Sequence, residues 1–133
     1  NGQMRVQMQI SAMEQLADVT DSLMEQLEWW QISKEKQMDI RLCLMEAVQN
    51  ALLYGCSGDG QPAEVQISWC CNKQGFVFSV ADNGPGVPKQ LRCRSWEMLP
   101  LEEHGRGILL LQAILDEVQF NEAGNCITGR INW

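Results

Sequence analysis

The chain has 133 residues, 45% of them hydrophobic, and a net charge of −7. That length suits one domain with a proper core, and the acidity disfavours nucleic acid, which is held by neutralising phosphates with Lys and Arg. No apolar run approaches the ~18 residues that span a bilayer and no secretory signal opens the chain, so no membrane is expected either. An acidic surface does suit a basic protein partner. Asn1-Gly2 opens the chain without a Met, so a trimmed start is expected.

Arg5–Ile10 alternates polar and apolar side chains and predicts a strand. Ser11 stands as an N-cap with Glu14 at capping-box spacing. The helix that follows runs to about Trp30, with Leu16, Val19, Leu23 and Leu27 on one stripe. Ser33 caps a second helix, with Glu35 and Lys36 in its first turn, and Gly55 stops it. Cys56–Pro62 is a loop by composition. Glu64–Asn72 and Phe76–Ala81 are strands joined by the turn Asn72-Lys73-Gln74-Gly75. Gly84 to His104 shows no clean period, carries Pro85, Pro88 and Pro100, and reads as a long functional loop. A helix over Gly107–Val118, a strand at Gln119–Phe120, a turn over Asn121–Asn125 and a strand over Cys126–Trp133 complete the chain. The order β-α-α-β-β-loop-α-β-β predicts a two-layer α+β sandwich, with a mostly antiparallel sheet and helices on one face.

The six cysteines include no Cys-x-x-Cys pair, and the lone His104 lies far from any Cys pair, which argues against zinc. Free, mostly buried thiols in a reducing cytoplasm are the expectation. Cys70 and Cys71 adjoin in a strand and would face opposite sides. One of Trp29 and Trp30 is expected in the core and the other at a partner surface. Trp69 reads as core, and Trp96 as covering a ligand or touching a partner. The seven methionines read as gap-fillers.

Three motifs carry chemistry. Glu46 and Asn50 are four apart and share a helix face, with Asp39, Cys43 and Leu53 nearby and Ile40, Leu44, Val48 and Ala51 opposite. Such a carboxylate can act as general base while the amide oxygen ligates Mg²⁺. Alone, the pair reads first as a solvated helix face. Asp82-Asn83-Gly84-Pro85-Gly86 puts a carboxylate at a strand end beside a glycine turn. It could accept a hydrogen bond from an exocyclic amine such as that of adenine, with Gly84 and Gly86 letting backbone approach a flat base. Alone it is a plain turn. Gly105-Arg106-Gly107 leads into an apolar helix, offering amides at the positive end of a helix dipole to phosphates. Alone it is a flexible loop before an ordinary helix, and Arg106 either touches phosphate or points to solvent. His104 has no visible catalytic partners.

In this order, the three motifs resemble the GHKL ATPase superfamily with its Bergerat nucleotide-binding fold. Glu46-x-x-x-Asn50-Ala51 looks like its N-box, Asp82-x-Gly84-x-Gly86 like its G1 box and Gly105-x-Gly107 like its G2 box. Within it, the likeness is to the stand-alone serine-protein kinases that act as anti-sigma factors. The chain is short, it has no phospho-accepting helical hairpin, and Leu44–Ala51 followed by Tyr54-Gly55 is close to that group's pattern. The resemblance implies one domain over residues 1–133 with an ATP lid at about 87–104, and a cytoplasmic signalling role in transcription regulation. It implies Glu46 as the base for a serine hydroxyl, Asn50 as the Mg²⁺ ligand, and Asp82, Gly84 and Gly86 around adenine. Gly105 and Gly107 would meet the phosphates of ATP. The implied partners are a sigma factor and a STAS-domain anti-anti-sigma protein, with a possible homodimer. A non-catalytic ATP-binding sequestering module and a catalytic domain of a larger signalling protein are the alternatives. Tyr54 stands where many members carry His, and Asn125, Cys126 and Thr128 compete for a place against adenine.

Overall fold

A computed structural model describes residues 4–55, 63–86 and 103–133. Strand β1 (Met4–Ile10) leads through a short 3₁₀ turn (Met13–Gln15) into α1 (Leu16–Trp29) and α2 (Lys34–Tyr54). Strands β2 (Val65–Cys71) and β3 (Gly75–Asp82), helix α3 (Glu103–Ile114), and strands β4 (Glu117–Phe120) and β5 (Cys126–Asn132) follow. The strands form one antiparallel sheet in the order β1-β2-β3-β5-β4. This is the two-layer α+β architecture that the element order predicts.

The pleat sorts the strands into two faces. Val65, Ile67, Trp69 and Cys71 of β2 pair across the sheet with Asp82, Val80, Phe78 and Phe76 of β3. Apart from Asp82 at the strand end, this set is buried with Val19, Leu23 and Leu27 of α1, Ile40, Leu44 and Val48 of α2, and Leu111 of α3. The opposite face carries Arg5, Gln7, Gln9, Gln66, Thr128 and Arg130, all exposed. Trp69 is core as expected, and its indole N–H donates to Gln26 Oε1 at 3.0 Å. Cys71 faces the core and Cys70 the other side. Cys43, Cys71 and Cys126 are thiols. Burial pushes the Cys71 thiol up to about 12.

Several local expectations hold and several shift. Ser33 Oγ accepts the Lys36 N–H at 3.2 Å, so the second helix is capped as read. Asn72 Oδ1 accepts from Gln74 N–H (2.8 Å) and Gly75 N–H (3.1 Å), which closes the β2–β3 turn. The first helix is capped differently. Gln15 folds back, and its Oε1 accepts from Ser11 N–H (2.8 Å) and Ala12 N–H (3.1 Å). A side-chain amide therefore replaces the expected Ser11–Glu14 box. The third helix is already formed at Glu103 and ends at Ile114. Glu117 and Val118 belong to β4, because Val118 sits opposite Gly129 of β5 and pairing with the sheet outweighs local helix preference. The loop at 56–62 and residues 87–102 of the expected lid (about 87–104), with Arg92, Arg94, Trp96, Cys56 and Cys93, lie outside the described residues. Among the described residues, no helix is long and apolar enough to cross a membrane.

Candidate functional site

Helix α2 supplies the first wall. Ile40, Leu44, Ala47, Val48 and Ala51 are buried on the sheet, which turns Glu46 and Asn50 to the flank, both half-buried. Cys43 is buried beside them. Burial first, then the charges of Asp39 and Glu46, push its thiol up to about 12, so it is no nucleophile at neutral pH.

The second wall is the end of β3. Asp82 points to the helix side, in register with Val65. Its Oδ1 accepts the Gly84 N–H at 2.7 Å. Among the described residues no hydrogen bond engages its other oxygen. Burial raises the Asp82 pKa, and the Gly84 bond partly offsets that rise.

A narrow cleft joins the two walls. It is lined by Ala47, Asn50 and Ala51 of α2, Val80 and Asp82 of β3, and Gly124 to Ile127 around the start of β5, with Phe120. Apolar sides and one carboxylate at the edge suit a flat ring that bears an amine. Asn125 and Cys126 line this cleft. Thr128 pairs with Ser79 on the exposed face and is out of reach of it. Asn125 is the residue whose role the motifs did not indicate. Its backbone carbonyl accepts from Asp82 N–H (2.8 Å), its Nδ2 donates to Gly84 O (3.2 Å), and its Oδ1 accepts from Asn121 Nδ2 (2.7 Å). The resemblance had offered Asn125 only as one of three competitors, with Cys126 and Thr128, for a place against adenine.

Glycine sterics draw the motifs together. A Cβ on Gly84 would stand 2.5–2.6 Å from backbone atoms of Gly55, so the glycine turn rests directly on the end of α2. Gly86 has φ +90°, a conformation that favours glycine, and its open side faces the backbone of Ala123. A Cβ on Gly107 would stand 2.5 Å from Glu46 Oε2 and 3.7 Å from Asn50 Nδ2. The third motif thus meets the first through a bare glycine.

One expectation is corrected here. Because α3 is helical from Glu103, Gly107 is an interior helix residue, where each N–H pairs with the carbonyl four residues back. Gly107 therefore makes room for Glu46 instead of presenting an open amide. Gly105 and Arg106 lie in the first described turn of the same helix. His104 is also within that turn.

The site unites a helix-borne Glu/Asn pair, a strand-end carboxylate on a glycine turn, and a glycine-bearing helix against the Glu/Asn pair. This is the layout of a nucleotide-binding domain built on an open sheet. The family model of the histidine kinase-like ATPase domain matches residues 10–131, from the end of β1 into β5. The chain belongs to that family, within the GHKL superfamily, and its nucleotide is ATP. Comparison with curated proteins returned no match.

Proposed function

We propose that this chain is an ATP-dependent serine-protein kinase of the anti-sigma type, acting in the cytoplasm. It would hold a sigma factor in one state and phosphorylate a STAS-domain antagonist in another. The observation that carries this reading is the Glu46 carboxylate, wedged beside Asn50 against Gly107 and next to the Asp82 cleft.

The lining of the cleft supports a place for the base of ATP. Asp82 has an oxygen to accept the adenine amine, while Ala47, Ala51, Val80 and Ile127 supply flat apolar contact. A nucleotide lacking that amine would leave a half-buried carboxylate without a donor, which is a strong basis for rejection. Asn50, at the same cleft, has an amide oxygen suited to a hard cation, so it is the residue that would hold Mg²⁺. Among the described residues no group of three or more His, Cys, Asp or Glu side chains converges, so the nucleotide's own oxygens would complete the ion's shell. When bound, MgATP supplies the phosphoryl group and the charge neutralisation that transfer requires.

The chain's own residues have two remaining tasks. Glu46 accepts the hydrogen bond of an incoming serine hydroxyl and takes its proton. Gly107, with no side chain, keeps the carboxylate from being pushed aside. Gly105 and Arg106 immediately precede Gly107 in the first described turn of α3, where helix amides favour anions.

The test is phosphate transfer to a serine of the antagonist, with Glu46→Ala alongside. Transfer should vanish in the variant while ATP binding persists. Unchanged transfer would show that Glu46 is not the base. ATP binding with no phosphoserine in the wild type would instead favour a sequestering module.

A further inference from the structure

The outer surface of the helix layer carries an apolar strip that the nucleotide site does not use. On α2, Met38 is 60% exposed, Leu42 43% and Leu53 46%, all on the side away from the sheet. Met38, Asp39, Arg41, Leu42 and Met45 line a shallow depression there. Thr20 Oγ donates to Met45 Sδ at 3.3 Å, which places the depression against α1. Methionines at such a surface offer flexible, polarisable contact that adapts to different partner side chains. Met38 is at the surface, whereas Met8, Met24 and Met45 are partly buried and packed against the core, as gap-fillers are.

The rim is acidic. Between Glu14 and Arg41 seven carboxylates stand against three cations. Helix α1 itself contains Asp18, Asp21, Glu25 and Glu28 and no Lys or Arg. Glu28 is neutralised by Lys34 at 3.2 Å. Among the described residues no salt bridge engages Asp18, Asp21 or Glu25, all exposed.

We infer that the α1–α2 surface is a docking site for a basic amphipathic helix of a partner protein. Its apolar face lies over Met38, Leu42 and Met45, and its Lys or Arg residues meet Asp18 and Asp21 on the outer face of α1. Two antiparallel helices leave a groove that a third helix fills by ridge packing. Charge decides the occupant. A second copy of this chain would use the same patch on both sides, setting this acidic rim against itself. A strand would instead seek a sheet edge. This surface is separate from the nucleotide cleft, so its failure and failure of the kinase reading are distinguishable.

The probe is a synthetic peptide of about five helical turns, with Leu at helical spacing on one face and Lys elsewhere. A scrambled peptide of the same composition is the control. Met ε-methyl NMR on the intact chain should show shifts at Met24, Met38 and Met45 and none at Met8 on the sheet. The helical peptide should bind at least roughly tenfold more tightly than the scrambled one, and Leu42→Glu should weaken it by a similar factor. Asp18→Asn with Asp21→Asn should weaken it further and flatten its salt dependence. ATP binding by each variant checks that it is folded. Equal binding of both peptides, or an unaltered affinity in Leu42→Glu, would overturn the inference. Sedimentation showing a dimer that Leu42→Glu dissociates would overturn it in favour of a second copy.

Discussion

The two ends of the cleft are built in opposite ways. At the proposed base end, Asp82, Gly84 and Asn125 are tied to one another by hydrogen bonds, and Gly84 lies on Gly55 with no room for a side chain. At the proposed transfer end, Glu46 and Asn50 meet α3 at one glycine, and space is what holds them in place. A braced end can keep a base in a fixed pose. An end defined by a gap leaves a carboxylate that a small displacement disables.

The largest effect should come from breaking the braced end. Gly84→Ala pushes a methyl into the Gly55 backbone, which cannot retreat as a side-chain tip can. A stability loss of about 3 kcal/mol is expected, typical of severe overpacking, with ATP binding lost. Thermal unfolding and ATP titration check it, and an unchanged melting temperature would show that this contact is slack.

At the other end the outcome should invert. Gly107→Ala removes an interior helix glycine, which by propensity gains up to roughly 1 kcal/mol. Its methyl displaces the Glu46 carboxylate, and misplacement of about 1 Å can cost on the order of 100-fold in rate. A variant as stable as the wild type, binding ATP but slow in transfer, would confirm that space defines this end. Normal transfer would remove the distinction between the two ends.

Asp82→Asn should weaken ATP by about 2 kcal/mol, the worth of a hydrogen bond to a charged group. Burial raises the Asp82 pKa, so wild-type affinity should fall on acidification sooner than an ordinary carboxylate would dictate, while the variant's stays flat. The sign for stability is opposite. A carboxyl whose folded pKa is raised contributes stability below its unfolded pKa and loses it as pH rises through the folded pKa. The empty variant should therefore be no less stable than the wild type at neutral pH, which a melting curve against pH tests.

The smallest effect belongs to Asn125→Ala. It removes the donor to Gly84 O and the acceptor for Asn121, for about 1 kcal/mol. ATP affinity should drop modestly with transfer chemistry intact. A larger drop would mean that Asn125 touches the base directly.

Much of the fold was legible because its signals are local. The alternation of Arg5–Ile10, the stripe Val19, Leu23, Leu27 and the Ser33 cap each act within a turn or two of chain. Misreadings occurred where distant partners decide. Val118 continued a helical pattern until its pairing with Gly129 made it strand. Gln15 displaced Ser11 and Glu14 because a flexible amide reached two backbone donors at once. In the site, Glu46, Asn50 and Asp82 were readable as residue types in motifs, whereas Asn125 was only one of three candidates, since its partners lie 41 residues away at Gly84 and across the turn at Asn121.

The sequence by itself determined the element order, the buried faces and the chemical groups of the three motifs, because periodicity, capping and turn chemistry are properties of neighbouring residues. Tertiary structure alone decided that Gly84 rests on Gly55, that Asn125 braces Asp82, and that Gly107 is a gap for Glu46 instead of an amide at a helix end. Those are contacts between segments far apart in the chain, fixed only when α2, β3 and α3 pack on one sheet.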